Sequence, residues 1–268
     1  MIEAGNLDIA IAGRLLLANL NFRIDRGERI AILGMNGAGK TTLLRTIAGL
    51  HRSARGSLRV AGRSVETFSA TERARSMALM LGDESTVEAM PVRDAVAAGR
   101  YAYHHWWDWR EQDEDSAAIT NALAAVHMSG FAQRDVATLS SGERQRVWLA
   151  LGLAQEAPLL LLDEPTGHLD VRASHEMLEL LHSVSDSGKT VVCVLHDINA
   201  ALDFAHRILV IGAGKILAFD TPRAIVENAV LDAAYGITMQ SVTMPGGALR
   251  VFAGSARIVR RQVLPHDI

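Results

Sequence analysis

Hydrophobic residues near both ends of the chain fall in short runs, as they do in buried strands. The runs Arg29–Leu33, Leu159–Leu162 and Val191–Leu195 are apolar at almost every position, which predicts strands covered on both faces. Segments with helical periodicity separate these runs, among them Lys40–Leu50 and Val171–Ser187. Buried strands that alternate with helices predict a largely parallel sheet of the α/β class.

The N-terminal segment adds an antiparallel pattern. Ile9–Ile24 is typical of two strands joined by a turn at Gly13-Arg14. Ser57–Val60 and Arg63–Val65 have the pattern of a hairpin. We therefore expect an antiparallel β subdomain beside the parallel sheet.

The middle of the chain has a different composition. From residue 84 to residue 157 the strand patterns disappear and alanine-rich helical patterns replace them. The helices expected there are Val92–Ala98, Ser116–Val126 and Glu143–Gln155. We predict one domain over residues 1–268, in which this helical subdomain interrupts an α/β core formed by 1–83 and 158–235. Residues 236–268 are then a C-terminal extension, with a hairpin turn at Met244-Pro-Gly-Gly.

Composition narrows the class of protein. The net charge of −3 lacks the basic footprint of a nucleic-acid-binding protein, so no nucleic-acid partner is expected. A single cysteine, Cys193, excludes an internal disulfide and fits a reducing compartment. No run approaches the roughly 18 apolar residues that a membrane helix needs. The N-terminus lacks the basic start of a signal peptide, so we expect a cytoplasmic chain.

A glycine-rich loop follows the first buried strand. Gly34-Met-Asn-Gly-Ala-Gly-Lys-Thr matches the Walker A pattern, although a glycine-rich turn could match it by coincidence. Glycines let backbone N–H groups converge on phosphate oxygens, Lys40 would reach the β- and γ-phosphates of ATP, and the Thr41 hydroxyl would ligate Mg²⁺. The phosphate-binding residues expected are Gly34, Met35, Asn36, Gly37, Ala38, Gly39, Lys40, Thr41 and Thr42.

Two acidic residues end another buried strand. In Leu159-Leu-Leu-Leu-Asp-Glu, Asp163 is placed to hold Mg²⁺ as a Walker B residue. Glu164 is placed to polarise the attacking water as a general base. A helix-capping carboxylate would explain one acid, but not two acids followed by Pro165.

Three further motifs carry a family resemblance. Leu139-Ser-Ser-Gly-Glu143 resembles the signature of ATP-binding cassette (ABC) ATPases, usually written LSGGQ. Leu169-Asp170 is similar to the D-loop of that family, and His196-Asp197 to its switch histidine. The order and spacing of the motifs fit over nearly the whole chain. The resemblance implies a P-loop NTPase (RecA-like) core with an antiparallel β subdomain and an inserted helical subdomain.

The resemblance also implies a mechanism. Two copies would face each other head to tail with two ATP molecules between them, and the signature of one copy would close on the γ-phosphate bound by the other. The helix that follows the signature would add its positive end. The residues carried over are Lys40, Glu164 and His196 for catalysis, Ser140, Gly142 and Asp170 for contacts to ATP, and Thr41 with Asp163 for Mg²⁺.

Some positions depart from the family pattern. Ile11 stands where the family has an aromatic residue that stacks on adenine, which predicts weaker or less base-selective binding. Gly82 stands where the family has a glutamine that contacts Mg²⁺; Asp83 would replace it, or coupling is weakened there. Ser141 replaces the second signature glycine. None of these changes affects Lys40.

Other segments resemble one subgroup of the family. Pro91–Tyr101 and Leu231–Thr238 are similar to segments of importers for iron–siderophores, haem and cobalamin. This implies integral membrane permease subunits as partners, through them a substrate-binding protein, and a peripheral position on the cytoplasmic face of the membrane. The aromatic segment Tyr101–Trp109 fits a permease interface or internal packing of the helical subdomain, and both readings stay open. His104-His105 and His168 are not assigned to a metal.

A second function class stays in view. A soluble ABC-type ATPase that serves iron–sulfur cluster assembly would carry the same motifs without a permease. Chromosome-organising ATPases are excluded, because they place a long coiled coil between Walker A and the signature, and no heptad run occurs here.

Overall fold

Buried strands form the centre of the computed structural model, which describes residues 1–82, 89–104 and 113–254. The strands are β1 (Ile2–Ile11), β2 (Arg14–Ile24), β3 (Arg29–Leu33), β4 (Arg55–Val60), β5 (Arg63–Ser64), β6 (Met77–Met80), β7 (Leu159–Asp163), β8 (Thr190–Val194), β9 (Arg207–Gly212), β10 (Lys215–Asp220), β11 (Met239–Thr243) and β12 (Leu249–Ala253). The helices are α1 (Lys40–Ile47), α2 (Ala70–Ser76), α3 (Val92–Ala97), α4 (Asp113–Ala125), α5 (Ser141–Ala154), α6 (Val171–Asp186), α7 (Ile198–Phe204), α8 (Pro222–Glu227) and α9 (Val230–Tyr235).

A six-stranded sheet in the order β10-β9-β3-β8-β7-β6 forms the core. Its strands are parallel except for the edge strand β10, which pairs antiparallel with β9. Every residue of β7 and β8 is buried, as the apolar runs predicted. Because β3, β7 and β8 run in the same direction, the phosphate loop, Asp163 and His196 all follow strand ends at one edge of the sheet.

A four-stranded antiparallel sheet, β2-β1-β4-β5, packs beside this core. The subdomain was expected, but the prediction that its first strand begins near Ile9 is wrong, because β1 begins at Ile2. Shifts in the pairing of β1 with β2 and a positive φ at Asn6 interrupt the apolar alternation there. The second hairpin strand is also shorter than predicted, because Val65 begins a 3₁₀ turn.

Helices α3, α4 and α5 pack through one apolar cluster. Val96, Ile119, Leu123 and Val147 are buried in it. Residues 89–104 and 113–154, the described part of the helical segment, contain no strand of the kind found in the two sheets. Helix α4 extends three residues before the predicted start, through an acidic first turn that suits a helix N-terminus.

A buried arginine ties this helical region together. Arg100 donates to Asp115 at 2.8 Å, to Glu156 at 2.7 Å and to the Ala154 carbonyl at 2.8 Å. Its guanidinium also lies 3.8 Å from the centre of the Tyr103 ring. The sequence patterns gave no sign of this cluster, because its members are far apart in the chain.

The C-terminal strands β11 and β12 form a hairpin through the turn predicted at Met244. Asn199 of α7 binds it by donating to the Val251 carbonyl at 3.0 Å and accepting from the Val251 amide at 2.8 Å. Arg250 pairs with Asp203 at 2.7 Å. Within the described residues, none of the helices combines the length and apolar content that crossing a bilayer requires.

Candidate active site

The phosphate loop, Gly34–Thr41, connects β3 to α1 and depends on two glycines. A side chain at Gly34 would place its Cβ 2.4 Å from the Ile211 carbonyl oxygen, so only glycine fits there. Gly39 ends the loop at a φ of 97°, in the left-handed region that favours glycine. These two constraints fold the loop back over the start of α1.

Helix α1 begins with an open N-terminus. Its first turn has no side-chain cap and no acidic residue. The first backbone N–H groups of a helix have no partner inside the helix and carry its positive end. This terminus therefore suits an anion such as a phosphate group.

Lys40 is buried at this terminus. Its ammonium donates to the carbonyls of Gly34 at 2.9 Å and Met35 at 3.1 Å. Burial lowers the pKa of Lys40, while the charges of Glu164 and Asp163 act to raise it. The lysine ammonium is therefore held by the loop carbonyls, within electrostatic reach of Asp163 and Glu164.

Asp163 and Thr41 form the oxygen-donor pair of the site. The Thr41 hydroxyl donates to Asp163 at 3.2 Å; Thr41 lies in the first turn of α1, and Asp163 is the last residue of β7. Burial raises the pKa of Asp163, and the Thr41 hydrogen bond opposes the rise. A hydroxyl beside a carboxylate is the donor chemistry that Mg²⁺ takes together with phosphate oxygens, so these residues fit the expected ion.

Glu164 lies beside His196. Its carboxylate oxygen Oε1 is 2.5 Å from His196 Nε2. Glu164 has a φ of 54°, which is a strained backbone for a non-glycine residue. Two backbone bonds hold it there: the Glu164 amide donates to Val194 at 3.1 Å, and its carbonyl accepts from Gly167 at 2.8 Å. These bonds hold the backbone of Glu164, and its carboxylate contacts the histidine.

These groups surround an open cleft of about 480 Å³. Its lining includes Ile11, Leu16, Asn36, Gly37, Gly39, Lys40, Thr41, Thr42, Glu164 and His196. The structure thus brings most of the expected phosphate-binding residues together with the expected base and histidine. Ile11, at the position where the family has its adenine-stacking residue, lines the cleft and is 46% exposed. Leu16 also lines the cleft, and the sequence analysis did not identify it.

The remaining loop residues have other surroundings. Met35 is exposed, whereas Ala38 packs against the apolar residues beneath the sheet. Gly82 lies against β7: a Cβ there would be 2.9 Å from the Asp163 carbonyl oxygen. The position where the family has glutamine therefore has no room for a side chain without a shift. Asp83 lies outside the described residues.

The signature residues lie at the start of α5. Ser140 accepts from the Glu143 amide at 3.3 Å, and the Glu143 carboxylate accepts from the Ser140 amide at 2.8 Å. This capping box starts the helix at Ser141, so the predicted start at Glu143 is wrong. Since the Ser140 oxygen is the acceptor, its hydroxyl hydrogen can still be donated.

The D-loop residue Asp170 caps α6 by accepting from the Ala173 amide at 2.7 Å. Gly142 lies beside the same turn, where an added Cβ would be 3.3 Å from the Ala173 methyl group. The signature and D-loop segments of one chain are therefore neighbours, at the first turns of α5 and α6.

Two further residues concern the expectations above. Tyr103 donates to the Gln155 carbonyl at 2.9 Å, which favours internal packing for that part of the aromatic segment. His105–Trp109 lie outside the described residues. Tyr235 of α9, which sequence reasoning did not single out, is partly buried. Burial raises its pKa, and a backbone hydrogen bond with Gly34 opposes the rise.

The comparisons with known proteins agree with this geometry. Residues 17–167, more than half of the chain, match the family described as ABC transporter. The chain is 35% identical to the petrobactin import ATP-binding protein FpuD of Bacillus anthracis over 98% of this chain and 97% of the relative. It is 37% identical to the ferric enterobactin transport ATP-binding protein FepC of Escherichia coli over 85% of this chain and 84% of the relative.

Solved structures give the same fold. An inward-facing metal-chelate type ABC transporter aligns with a TM-score of 0.80 and 27% identity over 93% of this chain and 95% of that one. A dimeric ATP-binding cassette in a post-hydrolysis state, bound to ADP and Pi, aligns with a TM-score of 0.71 and 25% identity over 83% of this chain and 99% of that one. The α/β P-loop fold is thereby confirmed. The chain belongs to the ABC transporter family as an ATP-binding protein, with the ATPase activity that this family couples to transport.

Proposed function

We propose that this chain is the ATP-hydrolysing subunit of an importer for metal chelates of the iron–siderophore, haem or cobalamin type. The observation that carries the ATPase part is the Glu164–His196 pair at 2.5 Å, which faces the same cleft as the phosphate loop. The import part has support from relatives that are import and transport ATP-binding proteins along most of their length. A soluble assembly ATPase has no comparable support.

Each residue of the site has a separate role in ATP hydrolysis. The loop amides and Lys40 bind the β- and γ-phosphates of ATP. Glu164 accepts a proton from water as the water oxygen forms a bond to the γ-phosphorus. The bond from that phosphorus to the bridging oxygen breaks, and ADP and phosphate are the products. His196 holds the Glu164 carboxylate in line with the water.

Thr41 and Asp163 are the residues that would hold Mg²⁺, whose charge, when bound, neutralises the phosphate oxygens. A second copy of the chain would supply Ser140, Gly142 and Asp170 to the same ATP. The Ser140 hydroxyl, whose hydrogen can still be donated, is suited to a γ-phosphate oxygen. The dimer would attach to permease subunits on the cytoplasmic face of the membrane, and through them serve a substrate-binding protein.

The test compares Glu164→Gln with the unaltered protein. We expect ATP hydrolysis to fall about 100- to 1,000-fold, since a positioned general base contributes factors of this order or more. ATP binding should persist, and the variant should form a dimer with ATP that size-exclusion chromatography detects. The matched control is Glu179→Gln, the same carboxylate-to-carboxamide substitution at an exposed position on α6, which should leave hydrolysis unchanged. Unchanged turnover in Glu164→Gln would assign the base to another residue.

The import part needs a separate test. A tagged chain expressed with its neighbouring genes should co-purify with integral membrane subunits and sediment with membranes. Recovery of the chain free of membranes, together with iron–sulfur assembly proteins, would favour the soluble alternative.

A further inference from the structure

Helices α5 and α6 belong to different parts of the fold but meet at their first turns. Helix α5 lies in the helical region and begins with the signature, whereas α6 lies in the core and begins at the D-loop. Gly142 and Ala173 approach each other there: a Cβ added at Gly142 would lie 3.3 Å from the Ala173 methyl group, so a larger residue fits only if its neighbour gives way. This contact alone is apolar and small, so it does not fix the angle between the helices.

An ion pair one turn further on supplies that constraint. Glu176 of α6 accepts hydrogen bonds from Arg146 of α5 and, at 2.8 Å, from Arg172 on its own helix. The Arg146 side chain is only 20% exposed, whereas Arg172 is 89% exposed. Partly buried, charge-assisted bonds hold geometry better than exposed pairs, which contribute little. The pair with Arg146 is therefore the one that connects the two helices.

A cleft lies beside this pair. Its volume is about 340 Å³, and its lining includes Arg146, Glu176 and Glu179 together with His127, which follows α4. The signature helix and the D-loop helix therefore approach each other both at Gly142–Ala173 and at Arg146–Glu176. Two approaches a turn apart define an angle between the helices, and loss of the second removes the polar one.

We propose that Glu176 is a positioning residue: through Arg146 it fixes the signature helix against the D-loop helix, so that both segments meet the partner subunit's ATP as one unit. This inference rests on the proposed function, since it assumes that Ser140 and Asp170 act across a dimer. It assigns to Glu176 a role that acts through Arg146 and not through the nucleotide.

The first experiment uses the Glu164→Gln background and measures the ATP concentration at half-maximal dimer formation. Glu176→Gln and Arg146→Gln should each raise it about tenfold, which corresponds to about 1.4 kcal/mol. The double variant should be no weaker than either single variant, because the two residues share one interaction. Arg172→Ala removes only the exposed Arg172–Glu176 pair, so it should change the ATP concentration at half-maximal dimer formation less than about twofold. Binding of a fluorescent ADP analogue should stay unchanged in all of them, since the phosphate loop is intact.

A second measurement needs no nucleotide. Cys193 is buried, so Ala124→Cys on α4 and Lys215→Cys on β10, both exposed, can carry spin labels. Glu176→Gln should broaden the distance between the labels, and Arg172→Ala should not. The proposal is overturned if Glu176→Gln behaves like Arg172→Ala in this measurement, or if the single effects on dimer formation simply add. If the Glu164→Gln background forms no dimer at all, the proposed function fails, and the label distances still decide the role of Glu176.

Discussion

Helices α1 and α5 both start at segments assigned to phosphate, yet their first turns are built in different ways. Helix α1 follows a left-handed Gly39 and has neither a side-chain cap nor an acid in its first turn. Helix α5 has a complete capping box, so the amides of Ser140 and Glu143 already have partners. The first helix offers bare amides and a lysine, whereas the second offers a hydroxyl on a preformed turn. The N-terminus of α1 is therefore suited to holding the phosphates continuously, and the N-terminus of α5 to a contact that forms and breaks.

The largest effect is expected at the open end. Lys40→Ala should reduce ATP hydrolysis about 100- to 1,000-fold, because a buried charge aimed at developing negative charge is lost. Nucleotide binding should weaken as well, which distinguishes it from Glu164→Gln. Steady-state kinetics and titration with a fluorescent ATP analogue measure the two effects. Turnover at the unaltered rate would show that the loop does not hold the γ-phosphate.

A smaller effect is expected at the capped end. Ser140→Ala should slow hydrolysis about tenfold, or about 1.4 kcal/mol, through loss of one hydroxyl donor. It should also lower the free energy of unfolding by about 1 kcal/mol through loss of the cap. Hydrolysis assays and urea denaturation report the two consequences separately.

Helix α2 supplies the control, because Ser69 and Glu72 form the same capping box away from the cleft. Ser69→Ala should lower the free energy of unfolding by about 1 kcal/mol and leave hydrolysis unchanged. If Ser69→Ala and Ser140→Ala slow hydrolysis equally, the effect at Ser140 comes from helix stability. The assignment of the Ser140 hydroxyl to the γ-phosphate would then be wrong.

The smallest effect concerns Asp163. Its pKa is raised by burial, so the folded protein binds a proton there more readily than the unfolded chain, and stability falls as pH rises through the interval above 3.8. Asp163→Asn lacks this dependence. Without Mg²⁺ and nucleotide, the variant should therefore melt at a higher temperature than the unaltered protein near neutral pH, and the gap should close as the pH falls. Calorimetry at several pH values checks this; a less stable variant at pH 7 would contradict it.

The part of the molecule that sequence could predict is the part with local signals. The apolar runs at β3, β7 and β8, the phosphate loop and the Asp163-Glu164 pair are readable because neighbours in sequence define them. The hairpin turn at Met244 was found for the same reason. Helices α8 and α9 were missed, although Thr221 caps α8 and Pro222 follows at its first position.

What sequence could not predict depends on distant pairing. No local sequence pattern marks contacts between residues that are distant in the chain. Examples are the strand order of the central sheet, the Arg100–Asp115 pair and the Arg146–Glu176 pair. The strand start at Ile2 was hidden by irregular pairing, and the start of α5 by the reading of Ser140 and Glu143 as a signature rather than a cap.

The two hydrogen bonds between Asn199 and the C-terminal hairpin limit where the chain can be shortened. Helix α7 starts two positions after His196, and Asn199 in its first turn holds both backbone groups of Val251. A chain shortened before Leu249 would lose this anchor beside the histidine, whereas one shortened after Gly254 would keep it. A shortened version of this protein should therefore retain β12 to its end at Ala253 if Asn199 is to keep its two hydrogen bonds to Val251.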